Sequence, residues 1–222
     1  YLEYKYCKDK SITDAEREEG IIYTKLVGVL YNTGLRSSEC LGLRWNEVYA
    51  NPMDDADKRK INMMVKVRRE NSKTGKQRVL AAPIKRRMDV IKKQSMLLGL
   101  ECKPTDLIFA NPSSKGGRAY TRENVSNRLR YAFLHSGLQE EFDKEGKVIN
   151  LYSSRHTWIT WRLRYGNVPI HLLAKQMGTS VNKIESTYGH ILVEQELDVV
   201  TKNQGLVRSG ITLEQPEVIE EL

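Results

Sequence analysis

Helical segments closed by glycine constrain this 222-residue chain more than any other feature. Thr13 and Glu16 form a capping box, each side chain satisfying a free backbone N–H of the other, ahead of a helix predicted to reach about Asn32. Ile22, Leu26, Val29 and Leu30 give it one apolar face, and Gly34 follows where a left-handed cap belongs. The pattern recurs. A short helix starts near Ser37 and buries Cys40, Leu41 and Leu43. Further helices run over 84–98, 121–136, 153–165 and 169–177, closed by Gly99, Gly137, Gly166 and Gly178, and another starts near Ser180. Segments 61–67 and 78–84 read as strands of a hairpin whose turn holds Thr74 and Gly75, and LIFANP (107–112) reads as a short buried strand or extended piece. Residues 51–60 and 142–148 read as polar and charged connections, and 112–118 as a basic loop. The expected fold is mainly α with a small antiparallel β-sheet (α+β).

A chain of this length buries one substantial core. We expect a linker or N-terminal extension over 1–12, one domain over 13–191 and a tail over 192–222. Lys and Arg number 36 against 28 acids, a net charge of +8. The excess lies in the body, because 201–222 sets Lys202 and Arg208 against Glu214, Glu217, Glu220 and Glu221. A basic body suits a polyanion, since each neutralised phosphate releases counterions, although solvated surface lysines give the same count. Cys7, Cys40 and Cys102 have no paired or zinc-binding spacing, which points to a reducing compartment. The longest apolar runs, such as 26–31, are too short to span a bilayer. These features predict a cytoplasmic protein. No carboxylate or histidine cluster has ligand spacing, so neither a metal nor a cofactor is expected.

Four dispersed residues supply a chemistry. Arg36 lies in TGLRSSE, Lys73 in NSKTGKQRV, Arg155 in LYSSRHTW and Tyr188 in IESTYGHI. Two guanidiniums can hold the nonbridging oxygens of a phosphodiester, a phenol can attack phosphorus, and an ammonium can protonate the leaving oxygen, all without a metal. Each residue also has an ordinary reading. Arg36 can simply bridge to Glu39, and Lys73 and Lys76 are equally placed at a solvated hairpin tip. Tyr188 shares a helix face with Val181, Ile184 and Ile191, as a core residue would. Ser153 is positioned to cap a helix with Arg155 in its first turn. The dipole there favours an anion and disfavours a bare cation, so Arg155 calls for a partner, with phosphate the obvious one.

Order and flanking residues together resemble the tyrosine recombinase (phage integrase) family, over roughly 11–191. Its T-G-x-R-x-x-E run is matched by Thr33, Gly34, Arg36 and Glu39, and its K-T-x-K-x-R hairpin by Lys73, Thr74, Lys76 and Arg78. Its H-x-x-R-H pattern is matched by Arg155 and His156, and its nucleophile segment by Tyr188, Gly189 and His190. Two positions depart from the common form. Tyr152 replaces the first histidine, and Thr179 stands where histidine or tryptophan is usual. Both can donate a hydrogen bond to phosphate, but neither is a good base near neutral pH.

The resemblance implies a catalytic domain over 13–191, in a subgroup of mobile-element integrases that carries these substitutions. It implies attack by Tyr188 to leave a 3′-phosphotyrosyl bond, with Arg36 and Arg155 on the phosphate and Lys73 protonating the 5′ oxygen. Glu39 would orient Arg36, and His156 and His190 would support the site. The surrounding cations are expected to lower the tyrosine pKa below its usual value of about 10. The implied partner is double-stranded DNA bearing attachment or crossover sites, bound by a homotetramer, with a DNA-bending accessory protein and a tail exchanged between protomers. Because the sequence opens on Tyr1, a longer protein with an N-terminal DNA-clamping domain is expected. Two alternatives stay open: a type IB topoisomerase with the same chemical set, and a DNA-binding regulator whose site is disabled at Tyr152 and Thr179. The spacing from Arg155 to Tyr188 and the short hairpin favour a recombinase.

Overall fold

The computed structural model describes residues 13–59, 61–114, 117–166 and 168–189. Helix α1 (Asp14–Thr33) begins at the Thr13–Glu16 capping box and ends at Gly34, whose φ of 63° lies in the left-handed region. Such a box contributes about 1 kcal/mol. Turn by turn, Ile22, Tyr23, Leu26, Val29 and Leu30 are buried, as the 3.6-residue period requires. A short α2 (Ser37–Leu41) follows, then a single 3₁₀ turn and strand β1 (Val48–Tyr49).

The sheet has the order β1–β2–β3, all antiparallel, with β2 at Met63–Val67 and β3 at Arg78–Ala82. Val48 faces Val65, Val65 faces Leu80, and Val67 faces Arg78. The hairpin is as expected, and of the two readings of 107–112 the extended piece holds. LIFANP makes an isolated bridge from Leu107 to Arg44 and another from Ala110 to Ala119, and the two-residue Val48–Tyr49 takes the sheet edge. Ile108, Phe109 and Ala110 are all buried in succession, so their apolar run reflects a core-crossing segment without strand alternation. The polar connection over 51–60 contains one helical turn, α3 (Ala56–Arg59).

Helices α4 (Lys85–Leu97) and α5 (Arg122–Ser136) lie where the pattern placed them. The charged connection at 142–148 is in part helical, because α6 spans Leu138–Lys144. Acidic residues in its first turn and Lys144 in its last complement the helix dipole, which the reading of a turn overlooked. Helices α7 (Ser153–Tyr165) and α8 (Ile170–Met177) come next, and residues 181–189 form α9. Ser153 is the first helical residue of α7 and not its cap; Tyr152 holds the cap position, and the Ser153 hydroxyl accepts from the Asn150 N–H.

Two hydrophobic clusters result. The larger joins α1, α2, the sheet, α4 and the 108–109 segment. The smaller joins α7, α8 and α9 through Trp158, Leu163, Leu173, Met177, Ile184 and Tyr188. Contacts between α1 and α7 and between α8 and β3 run along the seam between them. Among the described residues, no helix is long and apolar enough to cross a membrane.

Candidate active site

Two guanidiniums bond to one carboxylate at this seam. Arg36 is the N-cap of α2, and the Glu39 side chain three residues on accepts from its backbone N–H and from its Nη1, at 3.0 and 2.9 Å. Arg78 reaches the same carboxylate from β3 with both outer nitrogens, at 3.0 and 2.7 Å, and its Nε donates to the Gln176 carbonyl near the end of α8. Glu39 has no solvent exposure. Burial alone would raise its pKa, but hydrogen bonds and charge from Arg78 and Arg36 overcome that and hold it below the ordinary carboxylate value.

Arg155 does lie in the first turn of its helix, yet its charge is met differently from the expectation. Its Nη1 donates to the Gly34 carbonyl and its Nη2 to the Met177 carbonyl, at 2.8 and 2.7 Å. These carbonyls stand at the C-terminal ends of α1 and α8, where helix dipoles are negative. Two helix ends of one sign thus offset a cation placed at a helix end of the other. Burial and the Arg36 charge pull the Arg155 pKa down to about 10 against Glu39 and Tyr152, so it remains protonated at neutral pH. Arg36 and Arg78 on one carboxylate, with Arg155 near enough to feel both charges of the Arg36–Glu39 pair, leave formal positive charge in excess. Arg36 keeps the outer position, with 15% of its side chain exposed, while Arg155 is only 2% exposed and contributes mostly as a charge beneath it.

A second group gathers around Tyr188. Its ring packs in the smaller core, as the helix-face reading required, and its hydroxyl lies 2.6 Å from Nδ1 of His156. Tyr152, 45% exposed, sets its ring edge against His156 at 4.9 Å between centroids. The expectation of a lowered tyrosine pKa is overturned. Burial and the Tyr152 phenol push Tyr188 up to about 12, and the pull of Arg155 does not reverse this. A phenol in a packed core loses more by shedding water from its charged form than one buried arginine returns.

The remaining candidates are placed unevenly. Lys73 is exposed in the connection between β2 and β3. The root of that connection is pinned to α2, where the Asn71 side chain donates to the Glu39 carbonyl at 2.7 Å and Arg68 to the Gly42 carbonyl at 2.9 Å. Thr179 is half-buried in the turn between α8 and α9, with its N–H donating to Ala174. His190 lies outside the described residues. Arg78 is the site residue that motif reasoning passed over. Strand parity held the signal: Arg78, Leu80 and Ala82 share the buried face of β3, and an arginine on a buried face needs a carboxylate. Among the described residues, no group of three or more His, Cys, Asp or Glu is placed to hold a metal ion.

The phage integrase family model matches residues 8–195. The chain is similar to the tyrosine recombinase XerD of Rickettsia conorii (strain Malish 7), 26% identical over 176 residues, covering 78% of this chain and 53% of that protein. It thus spans about half the length of that relative. Among solved structures, it resembles the XerH site-specific recombinase bound to difH substrate in a pre-cleavage complex. The TM-score is 0.59 at 17% identity, covering 91% of this chain and 50% of the other. The post-cleavage XerH complex on palindromic difH gives a TM-score of 0.62 at 16% identity, covering 90% and 50%. These structural likenesses establish the fold.

Proposed function

Because the chain belongs to the phage integrase family, we propose that it is the catalytic part of a tyrosine-type site-specific DNA recombinase, one that integrates or excises a mobile element. The observation that carries this reading is the uncompensated charge of Arg36, Arg78 and Arg155 around Glu39, next to a tyrosine hydroxyl held on an imidazole. A phosphodiester supplies the missing negative charge. Arg36 donates to its nonbridging oxygens from the exposed side, and Arg155 stabilises the charge that builds at phosphorus. Tyr188 attacks in line, the 5′ oxygen departs with a proton from Lys73, and the bond energy is kept in a 3′-phosphotyrosyl ester. Rejoining reverses these steps, so neither ATP nor a metal enters. Tyr152 and Thr179 add hydrogen bonds to the phosphate.

On this reading the catalytic domain occupies 13–191, with a linker before it and a tail over 192–222 that reaches a neighbouring protomer. The partner is double-stranded DNA at attachment or crossover sites, bound by a homotetramer in the cytoplasm and aided by a DNA-bending protein. The test is a nicked suicide duplex taken from DNA flanking the gene. Wild type should give a denaturant-resistant protein–DNA adduct, mapped to Tyr188 by mass spectrometry, and Tyr188→Phe should bind equally well and give none. An adduct on Tyr23, Tyr152 or Tyr165 would refute the assignment of the nucleophile. Relaxation of supercoiled DNA without strand exchange would favour a topoisomerase.

A further inference from the structure

The geometry points to His156 as the catalytic base that takes the proton from Tyr188 as it attacks, an inference that rests on the recombinase reading and adds a residue to it. The pair is already in hydrogen-bond contact, hydroxyl oxygen to Nδ1 at 2.6 Å, across two helices, with the Tyr188 ring packed in the smaller core. His156 follows Arg155 directly in the first turn of α7, so the base and the buried cation are set by one segment. The Tyr152 ring meets the imidazole in a T-shaped contact, 4.9 Å between centroids.

The site needs such a base. Tyr188 is held protonated well above neutral pH, so a phenolate is not available in advance. Tyr152 and Thr179 carry hydroxyls, which are poor acceptors of a proton near pH 7. The groups facing His156 are Arg155 and Tyr152 from its own segment and Tyr188 from α9. Partial burial and the Arg155 charge lower its pKa below the ordinary 6.5, which leaves the ring neutral at physiological pH. With Nδ1 accepting, its own proton sits on Nε2.

The balance is then complete. The Tyr188 oxygen forms its bond to phosphorus while its proton passes to His156 Nδ1. The phosphorus–5′ oxygen bond breaks as Lys73 protonates the leaving oxygen. In rejoining, the 5′ hydroxyl attacks, returns its proton to Lys73, and Tyr188 leaves with the proton held by His156.

The experiment is single-turnover cleavage of the nicked suicide duplex at saturating protein, for wild type, His156→Ala and His156→Gln. His156→Ala should bind DNA as wild type does and form the Tyr188 adduct about 10²–10⁴-fold more slowly, the usual contribution of a positioned base. Added imidazole should restore part of that rate. The wild-type rate should fall on the acid side as His156 protonates below about pH 6.5, and this limb should be absent in His156→Gln. The acid limb is measured on wild type, so it bears on the inference even where a variant fails to fold. Cleavage by His156→Ala at the wild-type rate would overturn the inference, as would a slow variant with no imidazole rescue and an unchanged acid limb. A wild-type chain that forms no adduct would overturn the recombinase reading and this inference together; an active wild type with a fully active His156→Ala overturns only the latter.

Discussion

Both oxygens of Glu39 accept from guanidiniums, and the residue has no exposure to water. Its ionised form therefore depends on Arg36 and Arg78, just as their side-chain directions depend on it. A carboxyl whose folded pKa lies below its unfolded value adds stability above the unfolded value, about 4.5, and loses that stability as pH falls through the lowered folded value. Removing the charge leaves Arg78 buried without its partner, a change that typically costs about 3–5 kcal/mol. Glu39→Gln should thus lower the urea midpoint at neutral pH and flatten its dependence on pH below about 4.5. Equal acid-side slopes for wild type and variant would show that another carboxyl governs acid unfolding.

At the scale of elements, the site is made where helices end. Gly34 closes α1 and Gly178 closes α8, each with a left-handed backbone. Those turns bring the Gly34 and Met177 carbonyls onto Arg155. A Cβ on Gly34 would meet Met177 Sδ at 2.9 Å and the Trp158 ring at 3.0 Å, while Trp158 also ties α7 to α1 through its indole N–H to the Asn32 carbonyl. Gly34→Ala adds about 1–2 kcal/mol of left-handed strain for a residue with a Cβ, and a clash on the seam as well. We expect a loss of at least that size in urea unfolding, together with slower adduct formation as the Arg155 acceptor shifts. A destabilised variant that still cleaves at the wild-type rate would separate the seam from the chemistry.

Across the whole molecule, the charge excess of +8 suits a partner whose affinity depends on salt. The connection between β2 and β3 exposes Lys73 and Lys76 beside the pinned α2. If both reach the DNA backbone, each should contribute about 0.9 to the slope of log affinity against log salt. Lys76→Ala should lower that slope and leave cleavage at saturating protein intact. Lys73→Ala should lower the slope and slow cleavage as well. The reverse assignment of the slow variant would move the general acid to Lys76.

The longer helices, their glycine stops, the hairpin and the motif arginines were legible in the sequence alone, unlike the short α3 and α6, because caps, periodicity and turn residues act over a few neighbours. Val48–Tyr49 escaped notice because a two-residue strand has too few positions to show a period and exists only by pairing with Val65 and Met64. Long-range partners belonged to the tertiary structure. Nothing local to Arg155 says that its fork ends on carbonyls from Gly34 and Met177, or that Arg78 shares Glu39 with Arg36. The same holds for Tyr188. The sequence placed its ring on an apolar helix face, but only the packing of α9 against α7 decided that its hydroxyl meets His156, and only burial and the nearby Tyr152 phenol decided that its pKa rises. Desolvation and contact are sums over everything that surrounds a group, and the chain sets those surroundings only when it has folded.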